Sequence, residues 1–284
     1  MNSKFDKCII CENNEYVQIE HSSLIGLPVF KCLSCHLLLA GSTHDERQRI
    51  SLKLYAKDYW DNQYSKYRPD ENYTDHTSLG KKRDFVSQYL YVKKYLNNFK
   101  TCLEIGSGTG TTLFWLEQLE CNVMGIEPDK RNVEMINKRL KHGMCINESA
   151  EKFKPNQNYD LIWINHVLEH SIRPDIILEN LSKHLNISGL IMIEVPNCDN
   201  SNILYESIFN NPDNYHFTGD ILKRLVDKLG LKLVSIDYFR PAKKIEGLIN
   251  KICGMIGKNP YKFYPRIKTS SKKGIAIRLL ISKK

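Results

Sequence analysis

The chain has 284 residues, of which 42% are hydrophobic and 10% aromatic, with a formal net charge of +9. That length suits one α/β domain plus a small accessory unit, and no apolar run approaches the ~20 residues that span a bilayer. The charge lies in the tail: residues 241–284 hold ten Lys, two Arg and one Glu, so the rest is slightly acidic. Such a run suits phosphate-bearing or membrane-surface partners, or is simply a solvated face. The opening Met-Asn-Ser-Lys-Phe-Asp-Lys contains no apolar export core, which makes the cytoplasm the expected location.

Nine cysteines are an odd number, and in a reducing compartment they are thiols or metal ligands. Cys8-x-x-Cys11 and Cys32-x-x-Cys35, with 20 residues between the pairs, match the spacing of a four-cysteine zinc ribbon. Four thiolates fill the coordination sphere, so the metal would be structural, and His21, His36 and His44 are ordinary side chains. The competing reading is a set of free thiols paired by coincidence. Residues 1–45 are expected to form this module. Residues 46–80, rich in Tyr, Asp, Asn and Lys with Pro69 as a breaker, read as a linker or lid.

Residues 81–98 read as a helix with Phe85, Val86, Tyr89, Leu90 and Leu96 toward one face. Short apolar runs follow at Cys102–Ile105, Val123–Ile126, Met144–Ile146, Leu161–Ile164 and Leu190–Val195. Their lack of polar alternation predicts parallel strands covered on both faces, joined by crossover helices. Thr218 caps a helix to Lys228, Gly230 ends it, and Leu231–Phe239 and Ile275–Ile281 are further strands.

The most informative stretch is Leu103-Glu104-Ile105-Gly106-Ser107-Gly108-Thr109-Gly110, placed between the first strand and a helix. Glycines there let backbone N–H groups approach a ligand. The spacing is not that of a dinucleotide site, because Thr111 stands where the third glycine of that fingerprint belongs. Glu104 would repel a pyrophosphate and suits a cationic ligand. Glu127 ends the second strand, where a carboxylate can accept ribose hydroxyls; the alternative is a surface carboxylate or helix cap.

Leu103–Gly110 resembles the first motif of class I S-adenosylmethionine-dependent methyltransferases, and Glu127 the acidic residue after their second strand. The resemblance extends over residues 80–239 and includes Ser149-Ala150-Glu151, Asp160 to His170, and Gly189 to Asn197. It implies a Rossmann-like α/β fold with a seven-stranded sheet, the last strand antiparallel. S-adenosylmethionine would lie across the strand ends against Glu104, Gly106, Ser107, Gly108, Gly110, Glu127, Ser149, Ala150 and Asn165. The methyltransferase domain would occupy 81–284, with 241–284 as a basic C-terminal segment.

Methyl transfer needs positioning, and a base where the acceptor loses a proton. His166 and His170, four apart after the fourth strand, are candidates; the alternative is that Asn165 or His166 lines the cofactor and His170 closes the turn. His216 resembles a substrate-side histidine of this group. Tyr55 and Tyr59 resemble tyrosines that lie over cofactor or acceptor, with simple packing as the alternative. The ribbon, the tyrosine segment and His-Val-Leu-Glu-His together look like methyltransferases of sugar and polysaccharide biosynthesis. Without the long C-terminal domain of the sugar C-methyltransferases, O-methylation of a glycan or small metabolite is expected.

An RNA methyltransferase is the main competing reading, with a non-catalytic cofactor-binding protein as a third. Against RNA, Asn165-His166-Val167-Leu168 stands where a Pro-Pro-aromatic motif would be, and Pro196-Asn197-Cys198 is no Pro-Cys pair. In the tail, Ile245, Leu248, Ile249, Ile252, Met255 and Ile256 recur at helical spacing beside Lys243, Lys244, Lys251 and Lys258. Residues 243–258 therefore suit peripheral membrane contact, a cover on the sheet edge, or a nucleotide- or lipid-linked sugar held by its phosphates. Gly247, Gly254 and Gly257 weaken that helix.

Overall fold

The computed structural model describes residues 5–63, 79–256 and 266–284. Pro69, Gly257 and Lys258 lie outside the described residues. The N-terminal part is a small antiparallel sheet of β1 (Tyr16–Glu20), β2 (Val29–Cys32) and β3 (Leu38–Ala40). Its fourth strand comes from far along the chain. The two-residue β9 (Tyr215–His216) pairs with β3, Leu38 opposite His216 and Leu39 opposite Tyr215.

The segment read as a linker opens as a helix, α1 (His44–Lys53). Its start is a capping box that the sequence carries in Thr43-x-x-Glu46: Thr43 Oγ1 accepts from the Glu46 amide, and Glu46 Oε2 accepts from the Thr43 amide at 3.2 Å. Such a box satisfies donors the first turn leaves open. One wide turn, Leu54–Asp58, follows, in which the Tyr59 amide reaches back to the Leu54 carbonyl. Then come α2 (Tyr59–Gln63) and α3 (Leu79–Lys93).

From there strands and helices alternate: β4 (Thr101–Ile105), α4 (Thr111–Gln118), β5 (Asn122–Glu127), α5 (Lys130–Arg139), β6 (Met144–Asn147), β7 (Tyr159–Asn165), α6 (Pro174–Lys183), β8 (Leu185–Pro196) and α7 (Ser201–Phe209). Beyond β9 lie α8 (Gly219–Lys228), β10 (Lys232–Pro241), α9 (Lys244–Met255), β11 (Arg266–Thr269) and β12 (Ala276–Ser282). Thr218 caps α8 through the Ile221 amide, as expected. α9 forms across Gly247 and Gly254, the cost of a helical glycine being only ~1 kcal/mol.

The large sheet runs β11-β10-β12-β8-β7-β4-β5-β6. β4, β5, β6, β7 and β8 are parallel to their neighbours, and β12 enters antiparallel between β8 and β10. This is the Rossmann-like seven-stranded arrangement expected, extended by β11 as an antiparallel eighth strand on the edge. Leu161, Ile162, Trp163 and Ile164 of β7 are wholly buried, the burial on both faces that their unalternating pattern implied. Among the described residues no helix is long and apolar enough to cross a membrane.

Candidate active site

A cavity of about 350 Å³ opens at the carboxyl ends of β4, β5 and β7. Its floor is the turn from β4 into α4. Gly106 and Gly108 have φ of +71° and +53°, and a Cβ on Gly106 would stand 2.4 Å from Val167 Cγ2, so only glycine fits there. Gly110 caps α4 at φ +76° and does not line the cavity; a Cβ there would meet Ile136 Cγ1 at 2.8 Å. Its role is close packing of the turn against α5.

Glu104, Ser107, Glu127, Ser149, Ala150 and Asn165 line the cavity with Gly106 and Gly108. The Glu127 carboxylate accepts from the amides of Gly108 (2.8 Å) and Asp129 (3.1 Å). Gln88 of α3 donates to Asn165 Oδ1 at 2.9 Å and fixes that side chain. Burial pushes the carboxyls of Glu104 and Glu127 up to about 8 and about 7, each opposed by hydrogen bonds. Glu104 Oε2, Ser107 Oγ and Ser149 Oγ are buried without a hydrogen-bond partner. Polar atoms left so are costly unless a ligand meets them. With Glu148 and Glu151 also in the wall, the cavity is built for a ligand carrying positive charge and hydroxyls.

The roof comes from the aromatic segment. Tyr55, Tyr59 and Trp60 line the cavity, with ring centroids 5.4 Å apart for the tyrosines and 5.3 Å for Tyr59 and Trp60. The Tyr55 hydroxyl donates to the Pro212 carbonyl at 3.0 Å, Asn214 Nδ2 donates to Ser51 Oγ at 2.9 Å, and Asp61 pairs with Arg131 at 2.6 Å. The roof is thus tied by three contacts to two places on the catalytic half, the 212–214 turn and the start of α5.

The two histidines after β7 differ in their partners. His166 turns at φ +54°, a conformation uncommon outside glycine. Its Nδ1 lies 3.0 Å from Glu169 Oε1 and its Nε2 3.7 Å from Glu194 Oε1. Desolvation of the half-covered ring opposes its charge, yet the hydrogen bond to Glu169 and the nearby Glu194 carboxylate outweigh it and push the pKa up to about 10. Glu194 is itself buried; the Arg278 charge, more than any other favourable contact, holds it well below the usual carboxylate range. The shift of His166 favours the imidazolium at neutral pH, the form that cannot take up a further proton.

His170 Nδ1 lies 3.3 Å from the Pro212 carbonyl and 3.1 Å from Asp213 Oδ1. Both neighbours only accept, so Nδ1 carries the proton and the neutral ring keeps its lone pair on Nε2. Burial lowers this pKa, but Asp213 outweighs it and the net shift is upward. The rings of Tyr55 and Tyr59 lie 5.2 and 6.4 Å from it.

His216 lies outside the cavity, buried in β9. Ser207 Oγ donates to Asp213 Oδ2 at 2.5 Å and lies 2.7 Å from His216 Nδ1, so His216 donates to Ser207. Burial pushes His216 down to about 4, and it stays neutral. It connects to the cavity through Ser207, Asp213 and His170.

A sequence profile described as a methyltransferase domain matches residues 74–236, more than half of the chain. The chain belongs to the methyltransferase family. Among solved structures, the plantazolicin methyltransferase BpumL in complex with SAH is similar, with a TM-score of 0.55 and 18% identity over 84% of this chain and 98% of that one. A SAM dependent methyltransferase from Archaeoglobus fulgidus gives 0.53 and 16%, over 80% and 99%. At these identities the likeness is one of fold. A comparison with curated proteins finds no match.

The residues of the cavity fit S-adenosylmethionine: Glu104, whose Oε2 has no hydrogen-bond partner, would suit a cationic end, and Glu127 hydroxyls. Sequence reasoning missed Ser207 and Asp213, whose link to His170 joins segments about forty residues apart. Asp213, three residues before His216 in a turn opened by Pro212, was the available signal. Glu194 and Arg278 were also missed; the first lies in the Gly189–Asn197 stretch, the second in a strand with no polar periodicity.

In the N-terminal part, the sulfurs of Cys8, Cys11, Cys32 and Cys35 lie within 4.8 Å of one another. Cys8 and Cys35 are 3.5 Å apart, as are Cys11 and Cys32. Tetrahedral Zn–S bonds of ~2.3 Å set sulfurs about 3.8 Å apart, so the set fits a zinc ion. Among the described residues no cysteine is in a disulfide.

Proposed function

We infer that this methyltransferase transfers the methyl group of S-adenosylmethionine to a sugar hydroxyl on a small molecule or glycan acceptor in surface polysaccharide or related biosynthesis. The observation that carries the oxygen acceptor is the His170–Asp213 pair at the cavity wall, 3.1 Å apart. When bound, the cofactor supplies an electrophilic methyl on a sulfonium. His170 Nε2 takes the proton from the acceptor hydroxyl, and Asp213 steadies the resulting imidazolium. Glu104 meets the cofactor's ammonium, Glu127 its ribose hydroxyls, and the Ser149–Ala150 backbone its base.

Tyr55, Tyr59 and Trp60 exclude water over the reacting atoms and offer aromatic faces of the kind that stack on a sugar ring. BpumL has been solved with a desmethylPZN analog and SAH together, which supports an acceptor beside the cofactor in this fold. Zn²⁺ on the four cysteines holds the N-terminal sheet, with no open position for substrate. The zinc module is built on the N-terminal sheet, the roof on α1 to α2, and the catalytic domain on the large sheet and its helices.

Turnover of methyl-labelled cofactor on a panel of nucleotide sugars and glycans tests the reading. Label should pass to a hydroxyl of one of them. Transfer to RNA or peptide with no sugar labelled would refute it.

A further inference from the structure

Helix α9 leaves one side uncovered. Ile245, Leu248, Ile249, Ile252 and Ile256, at i, i+3, i+4, i+7 and i+11, form one stripe and are 73%, 57%, 39%, 45% and 62% exposed. The Ile256 amide bonds the Ile252 carbonyl, so the helical path continues to that residue. Single exposed apolar side chains are ordinary, but a continuous stripe on a 12-residue helix marks a contact surface.

The position of the stripe follows from the sheet. β10 and β8 are each antiparallel to β12 and so parallel to each other. Pro241 and α9 therefore emerge at the carboxyl edge, the edge that carries the cavity. Lys243 and Lys244 are exposed where α9 begins. The turn between β11 and β12 reaches the same edge, since Asn197, next after β8, donates from Nδ2 to the carbonyls of Ser271 (2.5 Å) and Gly274 (2.9 Å). That turn carries exposed Lys272 and Lys273. Glu246, the acidic residue of the first turn of α9, is held by Arg240 at 2.8 and 2.9 Å.

We propose that this edge docks on an anionic membrane surface, with the α9 stripe in the headgroup region and the four lysines against lipid phosphates. A second copy of the chain would set lysine against lysine. A nucleic acid would match the charge and leave five aliphatic side chains in water. In the docked pose the cavity edge faces the bilayer, and docking does not depend on which acceptor is methylated.

Co-sedimentation with vesicles of phosphatidylcholine alone and of phosphatidylcholine with phosphatidylglycerol tests this. The full chain should bind the second and not the first, and release as salt rises. The double variant Lys243→Glu/Lys244→Glu should weaken partition by at least about fivefold for each lysine. The triple variant Ile245→Ser/Leu248→Ser/Ile249→Ser should weaken it about tenfold or more, with unchanged far-ultraviolet circular dichroism because these side chains are exposed. Four results would overturn the proposal: no binding to anionic vesicles, full binding by the triple variant, a dimer in sedimentation velocity that the triple variant abolishes, or RNA bound in preference to vesicles.

Discussion

His170 Nδ1 faces Asp213 Oδ1 across 3.1 Å, and the same carboxylate accepts from Ser207 on its other oxygen at 2.5 Å. This buried carboxylate, with the Pro212 carbonyl, holds the proton on Nδ1 and raises the basicity of the ring at the cavity wall. Replacing it by an amide keeps the shape and removes the charge. Asp213→Asn should lower kcat roughly 10²-fold, the typical worth of a positioned base. Because Asp213 raises the His170 pKa, the acidic limb of the pH–rate profile should also move to lower pH in the variant. A purely structural loss would leave that limb where it was.

His166 supplies a stability test with a definite sign. Its folded pKa of about 10 exceeds the ordinary value of 6.5. The cation's contribution is therefore complete below pH 6.5 and is lost as pH rises toward 10. Wild type should melt above His166→Gln at pH 6.5, and the gap should narrow progressively to pH 10. With 44% of the side chain exposed, solvent screening keeps the gap modest. A gap that widens with pH would contradict the charge state given to this residue.

Cofactor binding should release protons. At pH 7 burial keeps much of Glu104 protonated, its pKa being about 8, and a cationic ligand beside it favours the ionised form. Calorimetric titration with SAH in two buffers of different ionisation enthalpy should give different heats, the difference shrinking in Glu104→Gln. Loss of that charge-assisted contact should also weaken affinity by about 1.5 to 3 kcal/mol. Identical heats in both buffers would count against Glu104 as the cationic end of the site.

The purified protein should contain about one zinc, as a tetrahedral four-thiolate site implies. Cys8→Ser or Cys32→Ser should lower metal content and solubility together, because binding free energy is folding free energy in so small a module. Strong chelators should lower the melting temperature. Metal-free protein whose melting ignores a chelator would remove zinc from the description.

The sequence made the glycine turn, Glu127 and the parallel strands legible because each is written in adjacent residues: a run of apolar side chains, a glycine, a carboxylate at a strand end. The cysteines were legible by spacing alone. What stayed hidden joins distant segments. Nothing local marks Tyr215–His216 as a strand, since two residues have no period, and its pairing with Leu38 and Leu39 spans most of the chain. The charge of His166 depends on Glu194 and, behind it, Arg278, which no pattern near residue 166 announces. The capping box at Thr43 and Glu46 was written locally and overlooked because the tyrosine-rich residues after it have weak periodicity.

The β3–β9 pairing also orders events during synthesis. Residues 8–40 leave the ribosome long before 215 and 216, so the small sheet must wait, one edge unpaired, while most of the large sheet is made. An open edge of this kind invites pairing with other nascent chains. Metal capture by the four cysteines would hold the early strands in register through that interval. Tyr215 and His216 close that edge, and Asp213 on the same stretch of chain lies against His170, so the completion of the small sheet and the placing of the carboxylate depend on the same few residues.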